Sequence, residues 1–156
     1  SPIVVPKGLK VNQYRIGDYW QHGVLHLTAA GVLAKSSNLG TIVAARHMTK
    51  RSHGAYLRKF GFGQLTGVGL AGETAGIVRD ADQWAAAHRA TIAFGQGISV
   101  NAVQIIRAVG AIANDGVRMQ PRIIRKITDQ YGTVTPTYHD GFAGSPPPLR
   151  GIDHAT

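Results

Sequence analysis

The sequence contains no cysteine, which excludes a disulfide framework and any metal site built on thiolates. No run of about 18 apolar residues occurs, so no segment predicts a membrane-spanning helix. Acidic residues are scarce, because eight Asp and Glu oppose seventeen Lys and Arg and leave a formal net charge of +9. Charged residues make up 16% and hydrophobic residues 44%, a composition typical of a globular chain.

The positive charge leaves one function without catalysis open, a basic module that binds an acidic polymer or nucleic acid. The basic residues are scattered, however, and the short clusters Lys50-Arg51 and 122–126 carry no interleaved aromatic side chains. No nucleic-acid-binding motif surrounds these clusters. We therefore interpret the charge as a solvated basic face, expect no nucleic-acid partner, and keep the basic module as the alternative.

The first part of the chain predicts short elements. Residues 1–17 combine Pro2, Pro6 and Gly8 with the β-prone run Leu9-Lys10-Val11, which favours an extended segment. Thr28 is an expected N-cap. The sequence predicts helices at 29–34, 39–48 and 55–60. Ser36 is expected to close the first of these helices, and Gly61 to end the third.

Residues 61–76 form a predicted loop that carries six glycines. Within it, Gly67-Val68-Gly69-Leu70-Ala71-Gly72 has the spacing of a dinucleotide-binding run. Such a site needs a strand before the glycines and a helix after them. A predicted helix precedes this run, so we reject a nucleotide site and expect no cofactor.

The longest periodic segment is 100–113, where the apolar residues keep the helical spacing of a buried stripe. Ser99 is the expected N-cap, and Asn114-Asp115-Gly116 the expected end. Beyond it, 117–127 and 133–137 are β-prone and flank a turn, which predicts a hairpin. The stripe consists of Ala102, Ile105, Ile106, Val109, Ile112 and Ala113.

Two Ser-x-Asn tripeptides are present. Ser36-Ser37-Asn38 sets a hydroxyl and a carboxamide two residues apart, between two predicted helices, where both groups can point into a cleft. The second tripeptide, Ser99-Val100-Asn101, opens the long helix, where a capping hydroxyl is a sufficient explanation. Only the first is therefore a candidate for chemistry.

Three titratable residues, Asp18, His22 and His26, stand four residues apart, a spacing that would place them on one face of a helix beside a metal. Gly17 and Gly23 interrupt the segment, and 24–27 alternates like a strand, so we predict no metal site. Isolated histidines are interpreted as packed or surface groups, and Glu73 as an acceptor for backbone amides. Those histidines are His47, His53 and His88.

Four stretches, in this order and spacing, resemble the transpeptidase domain of class B penicillin-binding proteins, most closely the septal cell-division type. The resemblance covers roughly residues 10–137. The stretches are Leu33-Ala34-Lys35-Ser36-Ser37-Asn38-Leu39-Gly40-Thr41, Tyr56-Leu57-Arg58-Lys59-Phe60-Gly61-Phe62-Gly63, Gly69-Leu70-Ala71-Gly72-Glu73-Thr74 and Phe94-Gly95-Gln96-Gly97-Ile98-Ser99-Val100-Asn101.

The resemblance implies an α/β (mixed α and β) fold, here a partial serine β-lactamase/transpeptidase-like fold made mostly of the helical lobe plus a β-hairpin. Residues 1–137 would be a partial transpeptidase domain, and residues 138–156 a loose, proline-containing tail that does not resemble the family. The apolar faces of the long helix and of the hairpin would then lack their partners.

The resemblance also implies a chemistry. In the family, the serine of an S-x-x-K motif attacks the D-alanine carbonyl of a peptidoglycan stem peptide, and an amine from a neighbouring stem resolves the acyl-enzyme. Ser-x-Asn is the second of three motifs. Carried over, Ser36 would belong to the catalytic proton-relay network, and Asn38 would hold the motif lysine and bind the substrate backbone.

The other two motifs are absent from this sequence. No lysine has a serine three residues before it, and none is followed by Thr-Gly or Ser-Gly. We therefore expect an internal fragment that lacks its nucleophile and is inactive alone. A degenerate relative that kept the scaffold for partner binding is a further interpretation.

The expected partners of the parent protein are peptidoglycan stem peptides and β-lactams, with divisome membrane proteins as further candidates. The resemblance places the parent at the extracytoplasmic face of the bacterial cell membrane, anchored by an N-terminal transmembrane helix that this chain does not contain. No cofactor or metal is expected.

Overall fold

The computed structural model describes residues 2–124 and 127–135. The described chain divides into two compact units, one formed by residues 2–56 and 77–99 and the other by 57–76, 100–124 and 127–135. Within these ranges, no helix has the length and apolar character needed to cross a membrane.

Two small antiparallel sheets open the first unit. Strand β1 pairs with β4, so that Val4 faces His26 across the ladder, and β2 pairs with β3 in a hairpin. Asn12 turns this hairpin with a φ of +54°, a left-handed conformation that asparagine tolerates. The strands are β1 Ile3–Val5, β2 Leu9–Val11, β3 Tyr14–Ile16 and β4 Leu25–Leu27.

Helices cover these strands. The core of the unit joins β1 to the first two helices through Val5, Val32 and Leu39, which are all buried. Thr28 accepts a hydrogen bond from the amide of Gly31 at 3.0 Å, which confirms it as the first N-cap. These helices are α1 Ala29–Ala34, α2 Asn38–Ala45 and α4 Ala86–Ala93, with a 3₁₀ turn at Ala81–Gln83. Helix α3, Lys50–Lys59, begins in the first unit and ends in the second.

Two predicted helix boundaries were wrong, and α4 was not predicted. Helix α2 ends at Ala45 rather than near Met48, because the amides of His47 and Met48 turn back three residues instead of four. Helix α3 starts at Lys50 rather than 55, since the Thr49 hydroxyl accepts from the Ser52 amide at 3.0 Å and caps the helix there. Its end before Gly61, which has a φ of +92°, was correct.

In the second unit, the long helix is α5, Ala102–Ala113. The predicted cap Ser99 was wrong. Asn101 caps α5 by accepting from the Gln104 amide at 2.8 Å, while Gln104 accepts from the Asn101 amide at 3.0 Å, a reciprocal capping box. The Ser99 backbone is instead paired with Ile77 in an antiparallel bridge.

The buried face of α5 differs from the predicted stripe. Gln104, Ala108 and Ala111 are buried, while Ile106 is 71% and Ile112 64% exposed. The expectation that the apolar face of this helix lacks partners is therefore confirmed, and the expectation of a buried stripe is wrong. Periodicity identifies an apolar face but not whether the same chain covers it.

The glycine loop is held to α5 by buried polar contacts. The Gln104 side chain is fully buried and donates to the carbonyls of Gln64 and Ala75 at 2.7 and 2.9 Å.

Within the glycine loop, Glu73 accepts from the Thr66 amide at 2.6 Å, which confirms its predicted role as an acceptor for backbone amides. Hydrogen bonding from Thr66 lowers the pKa of the Glu73 carboxyl.

The predicted hairpin is confirmed in its inner part. Strand β5, Ile127–Thr128, pairs antiparallel with β6, Val134–Thr135. Residues 117–124 were predicted to be β-prone but form no strand. Residues 125–126 and 136–156, which include the outer part of the predicted hairpin and the whole predicted tail, lie outside the described residues.

Candidate functional site

The candidate site begins at the corner between α1 and α2, the Ser36–Asn38 loop. Lys35 is the C-cap of α1, and Ser36 is exposed and reverses the chain with a φ of +49°. Asn38 is the first residue of α2 and is partly exposed. The hydroxyl and the carboxamide predicted from the sequence thus stand on one short loop between two helices.

Ser37 holds this loop in place through its buried hydroxyl. Its side chain is buried, with 1% of the residue exposed, and its hydroxyl oxygen accepts from the amide of Gly40 at 2.8 Å. The same hydroxyl donates to the Asp18 carboxylate at 2.6 Å. Ser37 is therefore both the N-cap of α2 and a link to another segment of the first unit.

Asp18 anchors the loop through both carboxylate oxygens. Its Oδ1 accepts from the Leu39 amide at 2.9 Å, and its Oδ2 accepts from Ser37 and lies 3.0 Å from Nε2 of His22. The carboxylate is thus an acceptor at the N-terminus of α2, where a negative charge is stabilising. Beside it, the Asn38 side-chain amide donates to the Gly17 carbonyl at 3.3 Å.

The electrostatics of Asp18 follow from these contacts. Burial of the carboxylate raises its pKa, but hydrogen bonds from Ser37, the Leu39 amide and His22 outweigh that effect and hold the pKa below its ordinary value of 3.8. The carboxylate is consequently ionised at neutral pH. An ionised acceptor that serves three donors ties the start of α2, and with it the Ser36–Asn38 loop, to Asp18.

Close packing of α2 on α1 also holds the loop. A Cβ on Gly40 would stand 2.8 Å from Cγ2 of Val32 and 3.1 Å from the Ser37 hydroxyl oxygen. Such contacts require a neighbour to move, so only glycine allows α2 to begin this close to α1. The glycine in Ser37-Asn38-Leu39-Gly40 therefore supports the cap geometry.

The role of Asp18 was not predicted from the sequence, where Asp18, His22 and His26 are candidates only for a metal site. The structure separates these residues, because Asp18 and His22 pair while His26 lies exposed in β4. Among the described residues, no group of three metal-ligating side chains was found. No sequence signal connects Asp18 with Ser37, since the contact spans 19 residues.

Two further histidines among the described residues, His53 and His88, have packing positions. The His53 ring packs edge-on against the buried Trp84 with ring centroids 5.4 Å apart, and His88 stacks on the same ring and lies 3.0 Å from the Gly97 carbonyl. Burial, and then the charge of Arg89, lower the pKa of His53. His47 is exposed. The interpretation of these residues as packed or surface groups is confirmed.

The second Ser-x-Asn tripeptide is structural, as predicted, although through a different residue. Asn101 supplies the cap of α5, and its side-chain amide donates to the Thr74 carbonyl at 2.8 Å. Ser99 is exposed, and its backbone makes the bridge to Ile77. The two tripeptides thus differ in the residue that caps the helix, which is Ser37 in the first and Asn101 in the second.

Comparison with known proteins identifies the family. The model of the penicillin binding protein transpeptidase domain matches residues 4–148. Penicillin-binding protein PbpB of Mycobacterium tuberculosis is 43% identical over 133 residues, which are 85% of this chain and 20% of that protein. Peptidoglycan D,D-transpeptidase FtsI of Escherichia coli is 34% identical over 118 residues, 76% of this chain and 20% of FtsI.

Solved structures of related proteins support the same family assignment. A peptidoglycan synthetase from Bifidobacterium adolescentis superposes with a TM-score of 0.78 at 40% identity, over 86% of this chain and 24% of that one. Penicillin-binding protein 3 of M. tuberculosis, complexed with ampicillin, gives a TM-score of 0.76 at 42% identity, over 86% of this chain and 30% of that one.

The fold is thus the mixed α and β fold of a transpeptidase domain, in part, and the predicted fold class is confirmed. The chain belongs to the penicillin-binding protein transpeptidase domain family, within class B, as the resemblance predicted. It spans about a fifth of the length of the curated relatives given above. The division at residue 137 stays a prediction.

The Asp18 contacts predict a measurable stability effect. Asp18→Asn removes the charge and one acceptor, so at pH 7 we expect the free energy of unfolding to fall by about 2 kcal/mol, the size of a hydrogen bond to a charged group. Because the folded-state pKa of Asp18 lies below its ordinary value of 3.8, its contribution is fully present above that value and is lost as the pH falls through the folded-state pKa. Urea denaturation at pH 7 and in acid measures the difference.

The matched control for this measurement is Asp82→Asn, a substitution at an exposed residue of the 3₁₀ turn. We expect it to change stability by less than about 0.5 kcal/mol at either pH. Equal stability of wild type and Asp18→Asn at pH 7 would contradict the anchoring role of Asp18.

Proposed function

We propose that this chain is one wall of the active site of a peptidoglycan D,D-transpeptidase, a protein that cross-links stem peptides through a serine acyl-enzyme and is acylated by penicillin. The observation that carries the proposal is the Ser36–Asn38 loop, a Ser-x-Asn motif between two helices in which Ser36 is exposed, Asn38 is partly exposed and Ser37 is anchored by Asp18, in a chain of this family. We infer the location at the outer face of the cell membrane, and a septal role, from the same relationship.

The reaction needs a nucleophile from an S-x-x-K motif, which this sequence does not contain. That serine attacks the penultimate D-alanine carbonyl of the stem peptide and releases the terminal D-alanine, whose amine takes up a proton. The resulting ester is then attacked by an amine of a neighbouring stem, which forms the cross-link and gives up one of its own protons to the serine oxygen. Each step moves one proton between neighbouring groups.

Ser36 and Asn38 would serve these steps differently. The Ser36 hydroxyl both donates and accepts, so it can pass a proton between the nucleophile and the leaving amine. The Asn38 carboxamide has one acceptor and two donor positions and does not titrate, so it can orient a lysine and a peptide at once. The contacts of Asp18 with Ser37 and the Leu39 amide would hold both groups in position.

Release of D-alanine tests this proposal. A protein that contains this segment together with its S-x-x-K motif is expected to release D-alanine from a pentapeptide ending in D-Ala-D-Ala, and ampicillin is expected to block the release. Ser36→Ala should lower the rate at least about tenfold, because a proton-relay group is lost. The matched control is Ser99→Ala, the serine of the second tripeptide, with an unchanged rate. A protein with no D-alanine release would refute the proposed activity.

A further inference from the structure

An aromatic pair, Tyr19 and Trp20, stands beside the Ser36–Asn38 loop and has no part in the reaction steps proposed above. Tyr19 is 81% exposed, although it directly follows Asp18, whose side chain is buried. The rings of Tyr19 and Trp20 meet edge-on, with their centroids 4.7 Å apart. Trp20 is partly exposed, whereas the second tryptophan of the chain, Trp84, is buried. Tyr19 and Trp20 therefore present aromatic surface that a ligand can reach.

The residues that hold the loop also hold this aromatic pair. The ring of Trp20 packs on that of His22 with centroids 5.2 Å apart, and Nε2 of His22 lies 3.0 Å from the Asp18 carboxylate. Asp18 in turn accepts from the Ser37 hydroxyl. A continuous set of contacts thus connects the two aromatic rings with the Ser-x-Asn motif.

The separation between the loop and the aromatic pair matches the length of a stem peptide. The Asn38 side chain donates to the Gly17 carbonyl. Tyr19 is two residues further along, so its Cα is at most about 7 Å from that of Gly17. A stem peptide whose fourth residue is held at Asn38 extends about 14 Å at most to its first residue, which is joined to a sugar. That sugar is within reach of the aromatic pair.

The chemistry of the two side chains fits a sugar ring. The faces of both rings are apolar, while the Tyr19 hydroxyl and the Trp20 indole N–H are polar groups at their edges. A sugar ring has the same division, because its C–H bonds form apolar faces and its hydroxyl and acetamido groups surround them. Tyrosine and tryptophan also lose little conformational entropy on binding, since each has two side-chain torsions.

We propose that Tyr19 and Trp20 form a binding site for the glycan strand that carries the stem peptide. The proposal rests on the function proposed above and adds a second part of the substrate to it. Ser36 and Asn38 contact the peptide end, and the aromatic pair contacts a sugar ring. The site therefore favours stem peptides attached to a glycan over free peptides.

A binding measurement tests this site without activity. The probe is a peptide-free tetrasaccharide of alternating N-acetylglucosamine and N-acetylmuramic acid, added to the ¹⁵N-labelled 156-residue chain. We expect the indole N–H resonance of Trp20 to shift until the site is saturated. The indole N–H of Trp84, which donates to the Arg79 carbonyl, should stay unchanged. A Trp20 resonance that does not respond to the tetrasaccharide would overturn the proposal.

Two tyrosine variants make the binding measurement specific. In Tyr19→Ala the dissociation constant of the tetrasaccharide should rise at least about fivefold, because one of the two rings is lost. The matched control is Tyr131→Ala, which removes a tyrosine of similar exposure, 83%, between β5 and β6 and should bind like wild type. Equal affinities of Tyr19→Ala and wild type would also overturn the proposal.

A kinetic test separates this inference from the proposed function. In the protein that carries this segment and its S-x-x-K motif, D-alanine release is measured from a free pentapeptide and from the same pentapeptide joined to its disaccharide. Tyr19→Ala should lower the ratio of kcat/KM for the glycan-linked substrate to that for the free peptide at least about fivefold. The change should lie in KM, because the lost contact serves binding. Tyr131→Ala should keep the wild-type ratio.

The possible results of the kinetic test lead to different conclusions. A ratio that is unchanged in Tyr19→Ala, even with both rates reduced, would show a merely structural role for Tyr19 and overturn the glycan site. Absence of D-alanine release from both substrates would overturn the proposed function. The titration of the Trp20 resonance would then still decide whether the chain binds a glycan.

Discussion

Incubated with a fluorescent penicillin, the 156-residue chain is expected to form no covalent adduct that survives denaturing electrophoresis. Penicillin is retained by these enzymes as an ester of the nucleophilic serine, and none of the lysines at positions 7, 10, 35, 50, 59 and 126 belongs to an S-x-x-K motif. The serines of the Ser36–Asn38 loop do not replace it. Ser36 has no lysine three residues later, and the Ser37 hydroxyl is buried and already donates to Asp18.

The control for this experiment is the protein that carries the same segment with an S-x-x-K motif, labelled under identical conditions and expected to give a band. Intact-mass measurement of the 156-residue chain checks the same point without the dye. A penicillin adduct on the chain would mean that one of its own side chains is the nucleophile, and the assignment of the loop as a second motif would be wrong.

The second large effect is expected at Asn38. In the complete acylating protein, Asn38→Ala should lower the acylation rate constant by about a hundredfold or more, the usual result of removing one positioned donor. The carboxamide begins α2 and is only partly buried, so its removal leaves the core of Val5, Val32 and Leu39 untouched. Of the fold, the substitution removes the exposed 3.3 Å hydrogen bond to the Gly17 carbonyl, so we expect a large effect on the rate and a small one on the melting temperature.

Lys35→Ala is the matched control for Asn38→Ala, because Lys35 is exposed in the same corner and takes part in the helix cap only through its backbone. We expect an acylation rate within about twofold of wild type, as for an ordinary surface substitution. Stopped-flow fluorescence or timed labelling gives the rate constants. Wild-type acylation by Asn38→Ala would remove Asn38 from the site.

Local chemistry made parts of the fold predictable. The cap at Thr28 and the turn at 129–132 follow from short-range preferences, and the structure has both. The end of α3 before Gly61 is equally local. Where two nearby residues could cap the same helix, the prediction was wrong. At the start of α5, Asn101 and Gln104 form a reciprocal capping box and Ser99 does not cap.

Burial was harder to predict than helix position. The apolar stripe of α5 follows the helical period, yet Ile106 and Ile112 are exposed and the buried face carries Gln104. A period of 3.6 reports which residues share a face, while burial depends on what packs against that face. Gln104 can be buried because its side-chain amide donates hydrogen bonds to the backbone carbonyls of Gln64 and Ala75. These partners are distant in the sequence, so no local pattern predicts the contacts.

The residues of the candidate site that face outward were predicted from the sequence, but the residues that hold the loop in place were not. Ser36 and Asn38 form a motif that a sequence comparison can find. Asp18 and Ser37 hold the loop in place although they are 19 residues apart in the sequence. Strand β4 and helix α1 lie between them, so their hydrogen bond depends on the tertiary fold. The exposed residues of this site can therefore be predicted from the sequence, whereas the residues that hold them in place become apparent only in the structure.

We have proposed that the Ser36–Asn38 loop is one wall of a transpeptidase site whose nucleophile comes from outside this chain. The most direct measurement is a crystal structure of the complete protein acylated by ampicillin. We predict that the acylated serine belongs to an S-x-x-K motif, and that the Asn38 carboxamide lies within hydrogen-bond distance of the amide of the bound drug. An acylated serine within this chain, or a drug with no contact to Asn38, would contradict the account.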